Sequence, residues 1–345
     1  MKTDFSKLVR QNIRSLRPYR SARDEFRGQA SVYLDANENP FPSNYHRYPD
    51  ARQESLRKNV SAFKHVTSKE ILLTNGSDEA IDLLIRAFCR PGIDNVVVPN
   101  PTYGMYSTWA AVNDIQVREA PLTAMFQLDK AAVKKAVNSK TRIVFLCSPN
   151  NPSGNLLQVS AIRWLLKFFP GIVVIDDAYV DFAGTESWLR ELSKYPNLVV
   201  LQTFSKAWGL AGIRMGICAA NPDIIQVLEK IKPPYNISSA AEEVVRKALR
   251  TRQNRMRKQV DAIIQERNKL EKALRELRIV NKVYPSDANF LLARVTDAKA
   301  IYEALLLRGI VVRLRSDALR CENCLRISVG TPIENRRLIS TLRSL

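Results

Sequence analysis

Lys206 follows a run of apolar, largely β-branched residues, Leu198-Val-Val-Leu201, and opens the stretch Lys206-Ala-Trp-Gly-Leu-Ala-Gly-Ile-Arg214. A lysine at the end of a core strand sits in an enclosed place. Chemistry that needs an amine there is imine formation with a carbonyl. Thr203, Ser205 and Arg214 flank it. They offer two hydroxyls and one guanidinium, a donor set that suits a phosphate, because the guanidinium fork bonds phosphate oxygens bidentately.

Four other segments place polar residues just after apolar strands. Thr74-Asn-Gly76-Ser77-Asp78 opens a helical pattern, and the first N–H groups of a helix with the Ser77 hydroxyl form an anion site. The same residues also describe any well-capped helix start. Tyr103 follows the strand ending at Val98 and is placed to stack on a flat ring, or to be an ordinary core tyrosine. Asn151, in Ser148-Pro-Asn150-Asn151-Pro152-Ser-Gly154, can aim its amide at a phenolate oxygen. A turn rich in Asn, Pro and Ser is equally what any loop contains. Asp176 ends the apolar strand Ile172–Ile175, and a carboxylate there needs a charged partner, either a protonated ring nitrogen or an arginine. Tyr179 can meet the phenolate oxygen opposite Asn151. Singly these signals are weak. Together, in one order, they supply the separate contacts that pyridoxal phosphate requires, and a displaced Lys206 becomes the general base at a substrate α-carbon.

The elements that must position these residues read as an α/β fold. Strands are expected at Ile71–Thr74, Asn95–Val98, Arg142–Cys147, Ile172–Ile175, Leu198–Leu201 and Gly216–Ala219, with helices at Asp78–Cys89, Tyr103–Ala111, Ser160–Phe169 and Thr185–Tyr195 between them. After Pro233-Pro234 one long helix is expected through Arg275. Strands at Phe290–Arg294, Gly309–Arg313 and Leu325–Val329 follow, with helices at Ala298–Arg308 and from Ile333. The organisation is a large domain over 46–250 with a mostly parallel sheet, and a smaller α+β domain over 251–345. An N-terminal arm, 1–45, is expected to pack with the small domain or a partner subunit.

Composition bounds the reading further. The 345 residues, 46% hydrophobic and 25% charged, are ordinary for a globular protein able to bury a large core. No apolar run reaches membrane-spanning length, and the first residues carry no apolar signal core, which points to the cytoplasm. The net charge of +19 is high. Its densest part, Val245–Val260, holds no acidic residue but also no interleaved aromatic, so it reads as a solvated helix face and not as a nucleic-acid site. Of five cysteines, Cys321 and Cys324 have zinc or redox spacing. With only His46 and His65 as distant imidazoles, a turn between strands is the better reading, and no metal site is assigned.

With these segments in view, the chain resembles the fold-type I pyridoxal-phosphate enzymes of the aspartate-aminotransferase superfamily, and within them the histidinol-phosphate aminotransferase family. The resemblance runs from Asn12–Arg23 to Leu325–Thr331. It implies pyridoxal 5'-phosphate held by Gly76, Ser77, Asp78, Thr203, Ser205 and Arg214 at the phosphate and by Tyr103 on the ring. Asn151 and Tyr179 are implied at the phenolate oxygen, Asp176 at the ring nitrogen, and Lys206 as the attachment point. Tyr48 matches a tyrosine that reaches the neighbouring subunit's cofactor phosphate, which implies a homodimer. Tyr19 and Asn37 match positions lining the substrate site. Arg313 and Arg326 match arginines that receive a substrate phosphate or carboxylate. The implied reaction is amino transfer between L-histidinol phosphate and 2-oxoglutarate in histidine biosynthesis. An aromatic amino-acid aminotransferase or a phospho-amino-acid decarboxylase would keep the same cofactor residues, and a nucleic-acid-binding regulator on the same scaffold is a more distant alternative. One departure is Asp177, where the family's usual motif has glutamate.

Overall fold

The structure, a computed structural model, describes residues 5–19, 21–26, 28 and 30–345. The seven strands β1 (Ile71–Asn75), β2 (Asn95–Asn100), β3 (Gln116–Pro121), β4 (Thr141–Cys147), β5 (Ile172–Asp176), β6 (Leu198–Thr203) and β7 (Met215–Ala220) form one sheet in the order β1-β7-β6-β5-β4-β2-β3. Strands β6, β5, β4, β2 and β3 pair in parallel, while β7 runs antiparallel to both β6 and β1. Because β7 alone is reversed, the ends of β1, β2, β4, β5 and β6 and the start of β7 all lie along one edge. The fold class is α/β, as expected. Central strands such as β5 are buried along their full length, as a sheet covered on both faces requires.

The second sheet is antiparallel, ordered β10-β11-β9-β8, with β8 at Val280–Val283, β9 at Phe290–Val295, β10 at Arg313–Leu314 and β11 at Cys324–Ser328. Its two faces serve two cores. Along β9, Phe290 and Leu292 pack into the core of the large sheet, while Leu291, Ala293 and Val295 belong to a smaller core with Leu305, Leu338 and Leu342. This is the two-residue alternation of a strand. In β11, Cys324 faces the large core and Leu325 and Ile327 the small one, so Arg326 shares the large-domain face. The helix Gln253–Arg275 joins the two, with Met256 and Val260 in the large core and Leu270 and Leu274 in the small one.

Several expected elements differ. Thr185–Tyr195 is no α-helix and holds only a short 3-10 turn at Trp188–Glu191. The Asp177 carboxylate accepts from the Ser187 hydroxyl (2.6 Å) and the Trp188 N–H (3.1 Å), which fixes a local turn in its place. The long helix is two, Ser239–Thr251 and Gln253–Arg275, broken at Arg252. Gly309–Arg313 shrinks to the two-residue β10. Of the N-terminal arm, Phe5 and Val9 are buried in the core of the large sheet, and the Arg10 N–H donates to the Ala87 carbonyl at 3.0 Å. Among the described residues no helix is long and apolar enough to cross a membrane.

Candidate active site

The shared strand edge opens into a cleft of about 130 Å³ lined by Gly76, Ser77, Asp78, Tyr103, Cys147, Asp176, Ala178, Tyr179, Thr203, Ser205, Lys206, Ala211 and Arg214. Ten of the residues singled out in the sequence therefore meet there. They come from the ends of β1, β2, β5 and β6 and the segment just before β7, at the carboxyl edge of the sheet where α/β folds bind ligands.

One end of the cleft is built for an anion. The helix Gly76–Phe88 starts with no side-chain cap, leaving first-turn N–H groups directed at the cleft. The Gly76 N–H is not among the free donors, because it gives its bond to the Arg214 carbonyl at 2.8 Å. Gly76 matters for space instead: it has φ +71°, and a Cβ there would lie 2.6 Å from the Arg214 guanidinium. Gly216 repeats the point one strand away, where a Cβ would lie 2.6 Å from both the Gly76 carbonyl oxygen and the Ser77 nitrogen. The sequence reading missed Gly216. The Thr203 hydroxyl donates to Ser205 Oγ (2.9 Å) and accepts from the Ser205 N–H (3.0 Å), holding the two hydroxyls together. Arg214 is half exposed and only 3.8 Å from Asp78, so its guanidinium remains available to an anion. Asp78 itself accepts from the Tyr103 hydroxyl at 3.1 Å, which turns its carboxylate to the aromatic side.

The other end holds the carboxylate. Asp176 is buried at the tip of β5 and accepts from the Tyr106 hydroxyl (2.8 Å) and the Ala178 N–H (3.1 Å). No cation lies in ion-pair contact with it among the described residues, and burial pushes its pKa up to about 6 against the Tyr106 and Ala178 bonds. A buried carboxylate left short of a counter-ion is the fit expected for a protonated ring nitrogen. Tyr106 was not singled out in the sequence. Its signal was available, since it stands three residues after Tyr103 at a helix start, on the same face.

Between these ends Lys206 places Nζ over the Tyr179 ring, 5.6 Å from its centroid. Burial, then the positive charge of Arg326, lowers the amine's pKa, which raises its neutral, nucleophilic fraction. Asn151 adjoins the cleft through Tyr179. Its amide nitrogen donates to the Tyr179 hydroxyl at 3.4 Å, and its carbonyl oxygen accepts from Arg326 Nη1 at 2.6 Å. Arg326 also lies over the Phe290 ring at 5.4 Å, and Phe290 packs edge-on to Tyr179. Arg313 is directly opposite Arg326 in the β10–β11 register and is exposed. Two arginines side by side on one face repel each other, so the pair favours an anion between them.

Three residues lie elsewhere in the chain. Tyr19 is 70% exposed beside Gln53 and Arg57. Tyr48 is 51% exposed and stacked on Tyr235 at 4.6 Å. Asn37 shares a separate cleft with Tyr48 and Ser238. None of the three lines the Lys206 cleft of its own chain. Cys321 and Cys324 are free, buried thiols of a turn in which the Cys324 N–H donates to the Cys321 carbonyl at 2.9 Å.

Residues 32–342 match the model of the family described as aminotransferase class I and II. The chain is 52% identical over 342 residues to the histidinol-phosphate aminotransferase of Parabacteroides distasonis, covering 99% of both chains. It is 47% identical over 344 residues to that of Bacteroides thetaiotaomicron, again covering 99% of both. Among solved structures, the histidinol-phosphate aminotransferase of Clostridium acetobutylicum superposes with a TM-score of 0.80 at 23% identity, covering 87% of this chain and 91% of that one. The Sinorhizobium meliloti enzyme, solved in complex with pyridoxal-5'-phosphate, gives 0.77 at 22% identity, covering 86% and 82%. On the strength of these full-length matches, the chain belongs to the aminotransferase class I and II family and, within it, to the histidinol-phosphate aminotransferases.

Proposed function

We propose that the chain transfers an amino group reversibly between L-histidinol phosphate and 2-oxoglutarate, with pyridoxal 5'-phosphate as cofactor, as a step of histidine biosynthesis in the cytoplasm. The observation that carries the cofactor is the convergence of an uncapped helix start, a buried carboxylate short of a counter-ion and a partly desolvated lysine on one strand edge. The observation that favours a phosphorylated amine is the Arg313–Arg326 pair, facing the large domain with no carboxylate in ion-pair contact among the described residues.

When bound, the cofactor supplies a carbonyl that condenses with amines and a ring that takes up the electron pair left by a departing α-proton. The chain's own residues do the rest. Ser77 and Asp78 through backbone N–H groups, with Thr203, Ser205 and Arg214, hold the phosphate. Asp176 keeps the ring nitrogen protonated, and the Tyr106 hydroxyl holds Asp176 in place. Tyr103 covers the ring face. Tyr179 and Asn151 donate to the phenolate oxygen. Lys206 would hold the cofactor between turnovers and, when an amine substrate takes its place, would serve as the base that moves the proton at the substrate α-carbon. Its lowered pKa suits a base working near neutral pH. Arg326 and Arg313 grip the substrate's phosphate and, in the other half-reaction, a dicarboxylate, and Asn151 ties Arg326 to the ring end of the site.

The working form is a homodimer. Leu34, Phe41 and Tyr48 are 89%, 77% and 51% exposed within one short segment, and an apolar surface of that kind is covered by a partner. A two-fold interface carries the same surface on both copies; by the resemblance to the family, Tyr48 reaches the cofactor phosphate of the neighbouring site, and Tyr19 and Asn37 line a substrate site.

Steady-state assays with L-histidinol phosphate, phenylalanine, tyrosine and threonine phosphate test the substrate. The highest kcat/KM is expected for L-histidinol phosphate. Preference for any of the others, or loss of carbon dioxide from threonine phosphate, would overturn the reading.

A further inference from the structure

At the edge of the large sheet opposite the Lys206 cleft lies a larger cavity, about 530 Å³, between the segment Lys7–Ser15 and the turns that lead into β2 and β4. Strands of six or seven residues separate the two edges, a distance on the order of 20 Å. Among the described residues, the cations Lys7, Arg10, Arg14, Arg90 and Arg142 and the carboxylate of Asp94 line the cavity.

Asp94 is already committed. It is almost fully buried and accepts from Arg90 Nε and Nη2 at 2.9 Å each, from the Arg90 N–H at 2.8 Å and from Arg142 Nε at 3.1 Å. Those bonds hold its carboxyl down at about 2 and fix the two guanidinium planes at the cavity wall. Arg10 gives one N–H to the neutral Arg86 carbonyl at 2.9 Å, and neither Arg10 nor Lys7 forms an ion pair with a described residue. The cavity thus carries a concentrated positive charge on partly preorganised donors, and preorganisation is what lets such a site bind an ion in competition with water. Its size exceeds that of one phosphate. Among the described residues no aromatic side chain lines it, so none of them stacks on a base.

We propose that this cavity binds a compact polyanion, a small molecule with two or more phosphate or carboxylate groups. One wall is the first part of the N-terminal arm, and the other is the rim of the large domain. A bound polyanion therefore ties the two together, at a distance from the chemistry.

The test uses the holoenzyme and inorganic pyrophosphate as probe, with binding followed by calorimetry and by the shift in Tm at constant ionic strength. Pyrophosphate is expected to bind and to raise Tm. The double substitution Lys7→Gln, Arg10→Gln is expected to weaken binding at least about tenfold while leaving kcat and KM unchanged. Arg326→Gln is expected to leave this binding intact. Three results would overturn the proposal: binding to the double variant within twofold of the parent, loss of binding in Arg326→Gln instead, or tighter binding of a single-stranded oligonucleotide than of pyrophosphate through the same residues.

Discussion

The Lys206 cleft and the segment from residue 16 to 48 are built on opposite terms. In the cleft, polar side chains are held by protein partners: Asp176 by Tyr106 and Ala178, Thr203 by Ser205, and Asn151 by Tyr179 and Arg326. The 16–48 segment is held at one focus, where Glu38 accepts from Arg23 (2.5 Å) and Arg47 (2.6 Å) and falls to a pKa of about 2. Around that focus Tyr19, Leu34, Phe41 and Tyr48 remain exposed. The first region is held by contacts within one chain; the second is the surface that the proposed dimer would cover with a second copy.

Substitutions can break that contrast. Lys206→Ala removes the proposed general base and is expected to lower kcat by about 10³-fold or more, read in steady-state transamination. Asp176→Asn is expected to cost roughly 10²-fold in kcat, with a second signature in the cofactor-free chain. Burial raises Asp176 from 3.8 to about 6 and Asp177 to about 7. For an acid raised in the folded state, the associated stability is fully present below pH 3.8 and is lost as pH rises through the folded values. Asp176→Asn should therefore raise the Tm of the cofactor-free chain at a pH above that window, and leave it little changed below it.

Arg326→Gln should lower kcat/KM for the phosphorylated substrate by about 10- to 100-fold, as expected for losing a charge-assisted partner. Tyr48→Phe should weaken cofactor retention by about tenfold. Mixing Lys206→Ala with Tyr48→Ala subunits then decides where Tyr48 acts. If it serves the neighbour, half the dimers are mixed and each has one intact site, so activity returns to about a quarter of the parent. If it serves its own chain, mixing restores nothing. Arg313→Gln, at an exposed position, should show the smallest effect, a few-fold rise in KM.

The cleft was legible in the sequence because its residues follow apolar strands whose burial the pattern reveals. Asp176 after Ile172–Ile175 and Lys206 after Leu198–Leu201 are the clearest cases. What escaped was set by tertiary contact. Strand β3 is an edge strand in which Gln116, Arg118 and Glu119 interrupt the apolar residues, so no apolar run announced it. The expected helix at 185–195 gave way to bonds that Ser187 and Trp188 donate to the buried Asp177. Gly216 is required by the approach of another loop, which no local pattern contains. Tyr48 and Tyr19 have no periodic signal at all, and their reading rests on resemblance.

The most direct test is to reduce the holoenzyme with borohydride, map the pyridoxyl label by peptide mass spectrometry, and repeat the reduction after adding L-histidinol phosphate without 2-oxoglutarate. The label should fall on Lys206 alone and should be largely lost when the phosphorylated amine is present. A label on another lysine, or one on Lys206 that L-histidinol phosphate leaves unchanged, would contradict the account.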